Sequence, residues 1–366
     1  MIDRRLVTNF DWTLVGLTAA ICLLGIINIY SASSSYRAAT VPFYVKQLNW
    51  MTFGLLLSLL VASIDYHILE DFSYWMYGFL ILLLLAVLLV GKTSMGATRW
   101  LNLGLFSVQP SELMKIVIIV TFARFFNNYH VHDGLSVRDL AFPLLLLAVP
   151  AALIMKQPDL GTAILVILIA ISMAFYVGLR WSTVLTFILV TIPMAWVGWV
   201  HLLKPYQKSR VLNFLDPERA RLGSGYHIIQ SKIAVGSGGF WGKGFIKGTQ
   251  SQLRFLPEQH TDFAFSVFAE EWGFLGALIL IVLYISLVMW GLSIARRCND
   301  RLGGLLAVGV TAMLFWHTII NIGMVIGLFP VVGVPLPFFS YGGTSMITSM
   351  VGIGILQSIS MRRFMF

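Results

Sequence analysis

Long apolar runs separated by short polar segments dominate the chain from end to end. Ten of these runs come close to or exceed the roughly 20 apolar residues that a helix needs to cross a hydrocarbon layer. They are too long and too continuous for the alternating strands of a membrane barrel, so each run predicts a helix. The pattern predicts one all-α polytopic membrane domain over residues 1–366 with ten transmembrane helices. The runs lie at 12–31, 46–64, 73–91, 107–126, 139–156, 160–179, 181–201, 264–292, 303–328 and 337–360.

Composition supports the membrane interpretation. Of the 366 residues, 58% are apolar and only 11% are charged, against roughly 25% charged in an ordinary soluble domain. These values exclude a water-soluble globular enzyme and a disordered or fibrous chain. The net charge of +9 would favour nucleic acid as the partner of a soluble protein. Here the membrane accounts for the positive charge, and we expect no nucleic-acid partner.

The distribution of short-loop cations predicts the orientation. An even number of spans places both termini on one side, and Lys and Arg mark the cytoplasmic side. With the termini inside, the inner segments hold ten arginines and the short outer segments hold five Lys or Arg. We therefore expect both termini in the cytoplasm.

One connection, residues 202–263 between the seventh and eighth runs, is long and polar. It carries nine Lys and Arg against four Asp and Glu, and a connection of this length is usually functional. In this topology it is extracytoplasmic. Its glycine-rich stretch at 236–244 does not fit a phosphate-binding P-loop, because Ser237 and Gly244 stand where the motif needs Gly and Ser or Thr. We interpret it as a flexible, cationic, aromatic segment that contacts an anionic head group; simple anchoring is the alternative.

Asp262 is the main candidate for chemistry. It lies near the start of the eighth predicted helix, for which Pro257 or Thr261 would suit the first turn. The helix dipole stabilises a carboxylate there by roughly 0.3–1 kcal/mol. An ionised carboxylate beside a basic loop suits a general base. The alternative is an ordinary acidic residue at a helix N-terminus.

Further charged residues lie within or beside the apolar runs. Glu112 and Lys115 are three residues apart and share one helix face, so we expect an ion pair that either contacts a phosphate or is purely structural. Asp159 opens the sixth run as a cap or a site residue. The prolines and glycines of 334–344, which include Ser340, predict irregular backbone beside a cavity.

We expect His317 and Asn321, one turn apart, to form an internal hydrogen-bonding pair. No His, Cys and Glu cluster has zinc-like spacing, so we expect no metal site. In the predicted topology the candidate site residues share the outer half. They predict an outward-facing cavity for an anionic, lipid-linked substrate.

Four motifs resemble one known family. QPSELMK at 109–115, KQPDLGTA at 156–163, FLPEQHTDFAF at 255–265 and PFFSYGGTS at 337–345 are similar to motifs of the SEDS proteins (shape, elongation, division and sporulation). The likeness extends over essentially the whole chain. Gln259 and the Glu-Glu-Trp at 270–272 favour the elongation branch over the division branch. Ala264 and Thr344 depart from the Ile and Ser expected, without removing a reactive group.

The resemblance implies a peptidoglycan glycosyltransferase that polymerises lipid II into glycan strands during cell elongation and shape maintenance. Asp262 matches the family's catalytic aspartate, and Glu112 and Lys115 match its ion pair. One inversion, from an α-linked donor to a β-linked product, needs a single general base. For substrate binding we expect the residues named so far and two cations of the long loop: Lys115, Glu112, Lys204, Arg210, Asp159 and Ser340.

The resemblance also implies a setting. It places the protein in the bacterial inner membrane, with a class B penicillin-binding protein (a transpeptidase) and other elongation-machinery membrane proteins as partners. A divalent cation such as Mg²⁺ could assist at the pyrophosphate, although no carboxylate cluster requires one. Two alternatives stay open, a lipid II flippase and a non-enzymatic cell-wall scaffold. A flippase needs access from both faces, whereas the charged groups crowd one end.

Overall fold

The structure is a computed structural model that describes residues 8–34, 41–94, 97–102, 104, 107–129, 133–202, 205–216, 224–256 and 258–363. Its helices are α1 (Trp12–Ser33), α2 (Phe43–Ser63), α3 (Tyr66–Val90), α4 (Pro110–Asn128), α5 (Ala141–Lys156), α6 (Leu160–Val177), α7 (Trp181–Val197, continued by a π-helical turn Gly198–Leu202), α8 (Pro205–Leu215), α9 (Ser224–Ser237), α10 (Thr249–Gln252), α11 (Ala264–Arg297), α12 (Arg301–Ile326) and α13 (Gly343–Arg362). Three short strands, β1 (Lys92–Ser94), β2 (Ala97–Asn102) and β3 (Ser107–Val108), form an antiparallel sheet in that order.

Each of the ten predicted runs coincides with one long helix, α1 to α7 or α11 to α13, which confirms an all-α polytopic membrane protein. In the described part of the chain, eight helices are long and apolar enough to cross a membrane: α1, α2, α3, α6, α7, α11, α12 and α13. The other two depart from that pattern for simple reasons. α5 is apolar but has 16 residues, and α4 carries Glu112, Lys115 and Arg124 within 19 residues. Ten crossings therefore stay a prediction.

Two helices form the interior of the bundle. α12 packs against α4, α6, α11 and α13. In the 18-residue apolar stretch of each helix, 78% of the residues are buried in α12 and 89% in α13. α7 lies at the edge of the bundle, since only 6% of the residues in its apolar stretch are buried. Small residues allow the close packing, since a Cβ at Gly309 of α12 would lie 2.5 Å from the Ile119 side chain of α4.

Helix ends gather at two opposite ends of the bundle. At one end Arg124 donates to the carbonyls of Glu70 and Asp71, and His67 contacts Asp300. The other end, which we call the site end, contains the starts of α2, α4, α6, α11 and α13, the sheet, and α8 to α10. The irregular segment 327–342 between α12 and α13, here called the connecting segment, also lies there.

The structure differs from the sequence prediction in three connections at the site end. α4 begins at Pro110, later than predicted, because the residues before it pair as β2 and β3. α13 begins at Gly343, since the preceding residues of the connecting segment form turns. The long connection 202–263 contains α8, α9 and α10 rather than an irregular loop. Each of these pieces is too short or too polar to show in a pattern of apolar runs.

Candidate active site

A cavity of about 1040 Å³ opens at the site end. Its walls come from the starts of α2, α4, α6 and α13, from β2 and α8, from the connecting segment and from the residues before α11. Three cations line it, Lys46, Arg99 and Arg210, together with three carboxylates, Glu112, Glu258 and Asp262. This mixture of charge with apolar walls suits an amphipathic ligand that carries charged groups.

A second cavity of about 240 Å³ adjoins the first. Asp262, Glu258 and Arg210 line both cavities. The small cavity adds His227 and Phe263, whose rings stack with centroids 6.2 Å apart. Asp262 therefore lies where two binding spaces meet, which is the position that a group acting between two substrates needs.

The backbone around Asp262 is fixed by the connecting segment. Asn321 Nδ2 donates to the carbonyl of Asp262 at 3.0 Å and to that of Val334 at 2.7 Å. Gly333 has φ +70°, and a Cβ there would lie 3.3 Å from Asp262 Oδ2. A glycine at this position thus allows the backbone to approach the carboxylate. Asn321 was expected to pair with His317, and instead it holds Asp262 and the connecting segment together.

Burial raises the pKa of Asp262 to about 6. This value is the net result, since the charges of Glu258 and Asp159 also act to raise the pKa and the charges of Arg99 and Arg210 act to lower it. α11 begins at Ala264 with Phe263 as its cap, so Asp262 precedes the helix. The carboxylate is mostly ionised at neutral pH, as the sequence predicts, but withdrawal from bulk water makes it a stronger base than a dipole-stabilised aspartate.

Glu112 and Lys115 form the predicted ion pair, with 2.8 Å between Oε2 and Nζ. Lys115 Nζ also lies 2.6 Å from His317 Nε2, and His317 Nδ1 lies 3.3 Å from the Pro335 carbonyl. An ammonium only donates, so Nε2 accepts and the ring hydrogen is on Nδ1. The chain of contacts joins the large cavity, which Glu112 lines, to the connecting segment. Lys115 is 1% exposed and, among the described residues, lines neither cavity.

The remaining predicted site residues have different placements. Arg210 lines both cavities. Asp159 caps α6 and accepts hydrogen bonds from Gln109 Nε2 at 2.8 Å and Ser111 Oγ at 3.0 Å. Ser340 Oγ accepts from the Leu336 amide at 3.1 Å and stabilises the turn before α13. Lys204 lies outside the described residues.

Sequence reasoning missed three residues of this site. Arg99 entered the prediction only as a topology cation, Glu258 only as an acidic residue of the loop, and His317 as the partner of Asn321. The signal for Arg99 was a cation followed by Trp100, ten residues before the QPSELMK motif. The contact between His317 and Lys115 joins positions 202 residues apart, so no local pattern reveals it.

The glycine-rich stretch is an ordered part of the helix packing rather than the flexible segment that the sequence predicted, and its contact with a head group stays a prediction. α11 breaks at Gly273, where φ is +65°. The amides of Lys243 and Gly244 donate to the Glu270 and Glu271 carbonyls, each at 3.0 Å. Those carbonyls would otherwise accept from residues 274 and 275 of the same helix. The amides of Phe274 and Leu275 instead donate to the carbonyls of Gly239 and Phe240.

No group of three or more His, Cys, Asp or Glu side chains within the described ranges could hold a metal ion. The carboxylates of the large cavity are instead matched by cations, since Glu112 pairs with Lys115 and Asp262 lies in the field of Arg99 and Arg210.

Comparison with known proteins gives full-length matches. A family model described as cell cycle protein, which groups FtsW, RodA and SpoVE, matches residues 11–364. The chain is 42% identical to the peptidoglycan glycosyltransferase MrdB of Escherichia coli K12, over 98% of this chain and 95% of that one. It is 33% identical to the peptidoglycan glycosyltransferase RodA of Treponema pallidum, over 98% and 99%.

Two solved structures share the fold over nearly the whole chain. A chain from a peptidoglycan synthase complex that coordinates polymerization and crosslinking has a TM-score of 0.83 and 34% identity, over 98% of this chain and 99% of that one. The rod shape determining protein RodA of Thermus thermophilus has a TM-score of 0.71 and 30% identity, over 97% and 98%.

Proposed function

This chain belongs to the SEDS family of FtsW, RodA and SpoVE proteins, and we propose that it works as a peptidoglycan glycosyltransferase by polymerising lipid II into glycan strands. Relatives named MrdB and RodA are called peptidoglycan glycosyltransferases, and the similar RodA of Thermus thermophilus is called a rod shape determining protein, which connects the activity with cell shape. The observation that carries the mechanism is the position of Asp262, a carboxylate of raised pKa at the junction of two cavities.

Asp262 acts as the general base. It takes the proton of the acceptor sugar hydroxyl, and the hydroxyl oxygen attacks the anomeric carbon of the donor. The bond from that carbon to the pyrophosphate oxygen breaks, and its electron pair leaves with the lipid pyrophosphate. One displacement inverts the α-linked donor to a β-linked product without a covalent intermediate. A pKa near 6 suits a base that works near neutral pH.

The leaving group carries the developing negative charge, so cations at the cavity wall stabilise the transition state. Arg210 lines both cavities and is placed to meet it. Lys204 keeps its proposed role as a further cation of the same loop. A divalent cation such as Mg²⁺ would be carried on the pyrophosphate oxygens themselves. Alignment of the two sugars in adjacent cavities supplies the rest of the acceleration.

The site end faces the extracytoplasmic side of the bacterial inner membrane, with both termini in the cytoplasm. The cations at the opposite end support this orientation, because Arg124, Arg180, Arg296, Arg297 and Arg301 lie there. A class B penicillin-binding protein is the partner that crosslinks the strands. The likeness to a chain of a peptidoglycan synthase complex supports such a partner, alongside other membrane proteins of the elongation machinery.

The test uses the purified protein with its transpeptidase partner and labelled lipid II. Wild type should form glycan strands, and Asp262→Asn should lose about 10²–10⁴-fold in rate, the usual contribution of a general base. Asp71→Asn, an exposed carboxylate at the opposite end, is the matched control and should keep the wild-type rate. Equal polymer from wild type and Asp262→Asn would overturn the catalytic assignment. Scrambling of lipid II across vesicles without polymer would favour a flippase.

A further inference from the structure

We propose that Arg99 binds the pyrophosphate of the lipid-linked donor and that Asp159 is its positioning residue rather than a substrate ligand. This inference rests on the proposed function, since it assigns a further cation, beside Arg210, that meets the leaving group. It also replaces Lys115, which the sequence put forward for that contact and which the structure places in a buried chain between Glu112 and His317.

Exposure separates the roles of the two residues. The Arg99 side chain is 22% exposed and lines the large cavity, whereas the Asp159 side chain is 2% exposed. Arg99 Nη1 lies 3.7 Å from Asp159 Oδ1, and Nη2 donates to the Pro158 carbonyl. A ligand in the cavity can therefore reach the guanidinium but not the carboxylate behind it.

Asp159 is itself held rigidly. Its Oδ2 accepts from Gln109 Nε2 and Ser111 Oγ at the start of α4, and its Oδ1 accepts from the Thr162 amide in the first turn of α6. Both oxygens are engaged by the protein, so neither has a free direction toward the cavity. The carboxylate is a fixed anion that joins two helix starts and orients the arginine against them.

The guanidinium keeps donors for a ligand. Arginine has five N–H groups in a planar fork that matches phosphate oxygens in pairs. Pro158 and Asp159 engage the two terminal nitrogens. In the described part of the chain Arg99 Nε is buried and has no acceptor. A pyrophosphate oxygen in the cavity would instead meet the remaining N–H groups of the two terminal nitrogens with charge-assisted bonds.

The position of Arg99 relative to the base also fits. Arg99 and Arg210 line the large cavity together with Asp262, and the charges of both act to lower its pKa. In a single displacement the base meets the acceptor hydroxyl on one side of the anomeric carbon and the pyrophosphate leaves on the other. Arg99 and Asp262 line the same cavity from different elements, an arrangement compatible with this geometry. β2 carries Arg99, and α11 follows Asp262.

The experiment measures binding of undecaprenyl pyrophosphate to the full-length protein in the non-reacting Asp262→Asn background, with undecaprenyl monophosphate as the comparison lipid. Arg99→Gln should weaken binding of the pyrophosphate about 10- to 100-fold, the usual range for charge-assisted hydrogen bonds. Arg99→Lys should fall between, because an ammonium keeps the charge and loses the fork. Arg180→Gln is the control, since that exposed arginine lies at the opposite end.

Asp159→Asn tests the positioning role through a double-variant cycle. It should weaken pyrophosphate binding in the presence of Arg99 and have no further effect in the Arg99→Gln background. Additive losses would overturn the positioning role, because Asp159 would then act independently. Thermal unfolding of each variant shows whether it is folded before its affinity is compared.

Activity measurements in the protein that retains Asp262 distinguish a failure of this inference from a failure of the proposed function. If wild type forms no glycan from lipid II, the proposed function fails. If wild type polymerises but Arg99→Gln keeps both its KM for lipid II and its affinity for undecaprenyl pyrophosphate, the function stands and the assignment of Arg99 is wrong. Loss of both, with partial recovery in Arg99→Lys, supports the assignment.

Discussion

The proton affinity of Asp262 has two sources, withdrawal from water and the charges that surround it. Burial is the largest cause of its raised pKa, and Glu258 is the neighbouring charge that adds most to it. Glu258 lines both cavities beside Asp262, and its φ of +49° shows that the chain turns sharply there. A carboxylate beside the base is therefore a means of tuning it.

Glu258→Gln should shift the acidic limb of the kcat/KM profile to lower pH. A general base works when deprotonated, so activity rises as the pH passes upward through its pKa, which is about 6 in the wild type. Removing the negative charge of Glu258 lowers the pKa of Asp262, and the rise then begins at lower pH. Polymerisation rates at low lipid II concentration between pH 5 and pH 8 check this.

Glu70→Gln is the control for that profile, because Glu70 lies at the opposite end with Asn127 and Arg124. Its acidic limb should match the wild type. An acidic limb that moves to higher pH in Glu258→Gln, or that stays at the wild-type pH, would contradict the coupling of Glu258 with Asp262.

Lys115 tests whether a buried pair is structural. Lys115→Met leaves Glu112 without its cation and should lower the free energy of unfolding by about 3–5 kcal/mol. The double variant Lys115→Met with Glu112→Gln removes the uncompensated charge and should be the more stable of the two. Thermal unfolding in one detergent compares them. Equal stability of the single and double variants would mean that water, not Lys115, balances the Glu112 charge.

Some of these residues were predictable and others were not, for a physical reason. Asp262, Glu112 and Lys115 stand out because a charge within or beside an apolar run is costly and must be explained. Arg99 and His317 act through partners that are distant in sequence, Asp159 and Lys115, so their roles depend on how helices pack. Asp159 was predicted to be either a cap or a site residue, and the contacts of its two oxygens show that it caps α6 and faces the protein.

At the scale of elements, the break in α11 explains the glycine-rich stretch. A helix interrupted at Gly273 exposes the carbonyls of Glu270 and Glu271 and two amides, and the stretch 239–244 satisfies all four. Glycine is needed where the two backbones meet, since a Cβ at Gly242 would lie 2.1 Å from the Glu271 carbonyl oxygen. The apolar run predicted the helix, but periodicity carries no information about a segment inserted into it.

Gly273→Ala should destabilise the protein by at least about 1–3 kcal/mol, the cost of a side chain in such a backbone conformation. The new Cβ would also lie 2.3 Å from the Gly242 amide nitrogen, which adds a clash. Gly78→Ala in α3 is the control, because a Cβ there meets nothing within 4 Å, and alanine favours the helix by up to about 1 kcal/mol. Thermal unfolding of the two variants should move in opposite directions; a Gly273→Ala protein as stable as wild type would argue against a fixed break.

At the scale of the whole molecule, the alternation of helix directions brings the chemistry to one end. Short connections, such as 157–159 between α5 and α6, make each helix reverse the direction of the one before. The starts of α4, α6, α11 and α13 therefore meet, and with them Glu112, Asp159, Asp262 and the connecting segment. The apolar runs were enough to predict this gathering. The sheet that presents Arg99 was not predicted, because strands of two to six residues leave no apolar run.

The proposed reaction needs the site end to face outward, because the glycan is built outside the membrane. In a background with Cys22→Ala and Cys298→Ser, Lys247→Cys places a thiol at an exposed position of the site end, and Arg180→Cys places one at the opposite end. A membrane-impermeant maleimide should label Lys247→Cys in intact spheroplasts and Arg180→Cys only after permeabilisation. The reverse pattern would place Asp262 on the cytoplasmic side, where a strand-forming transferase has no acceptor. Labelling of both thiols in intact cells would contradict a bundle whose two ends lie on opposite sides of the membrane.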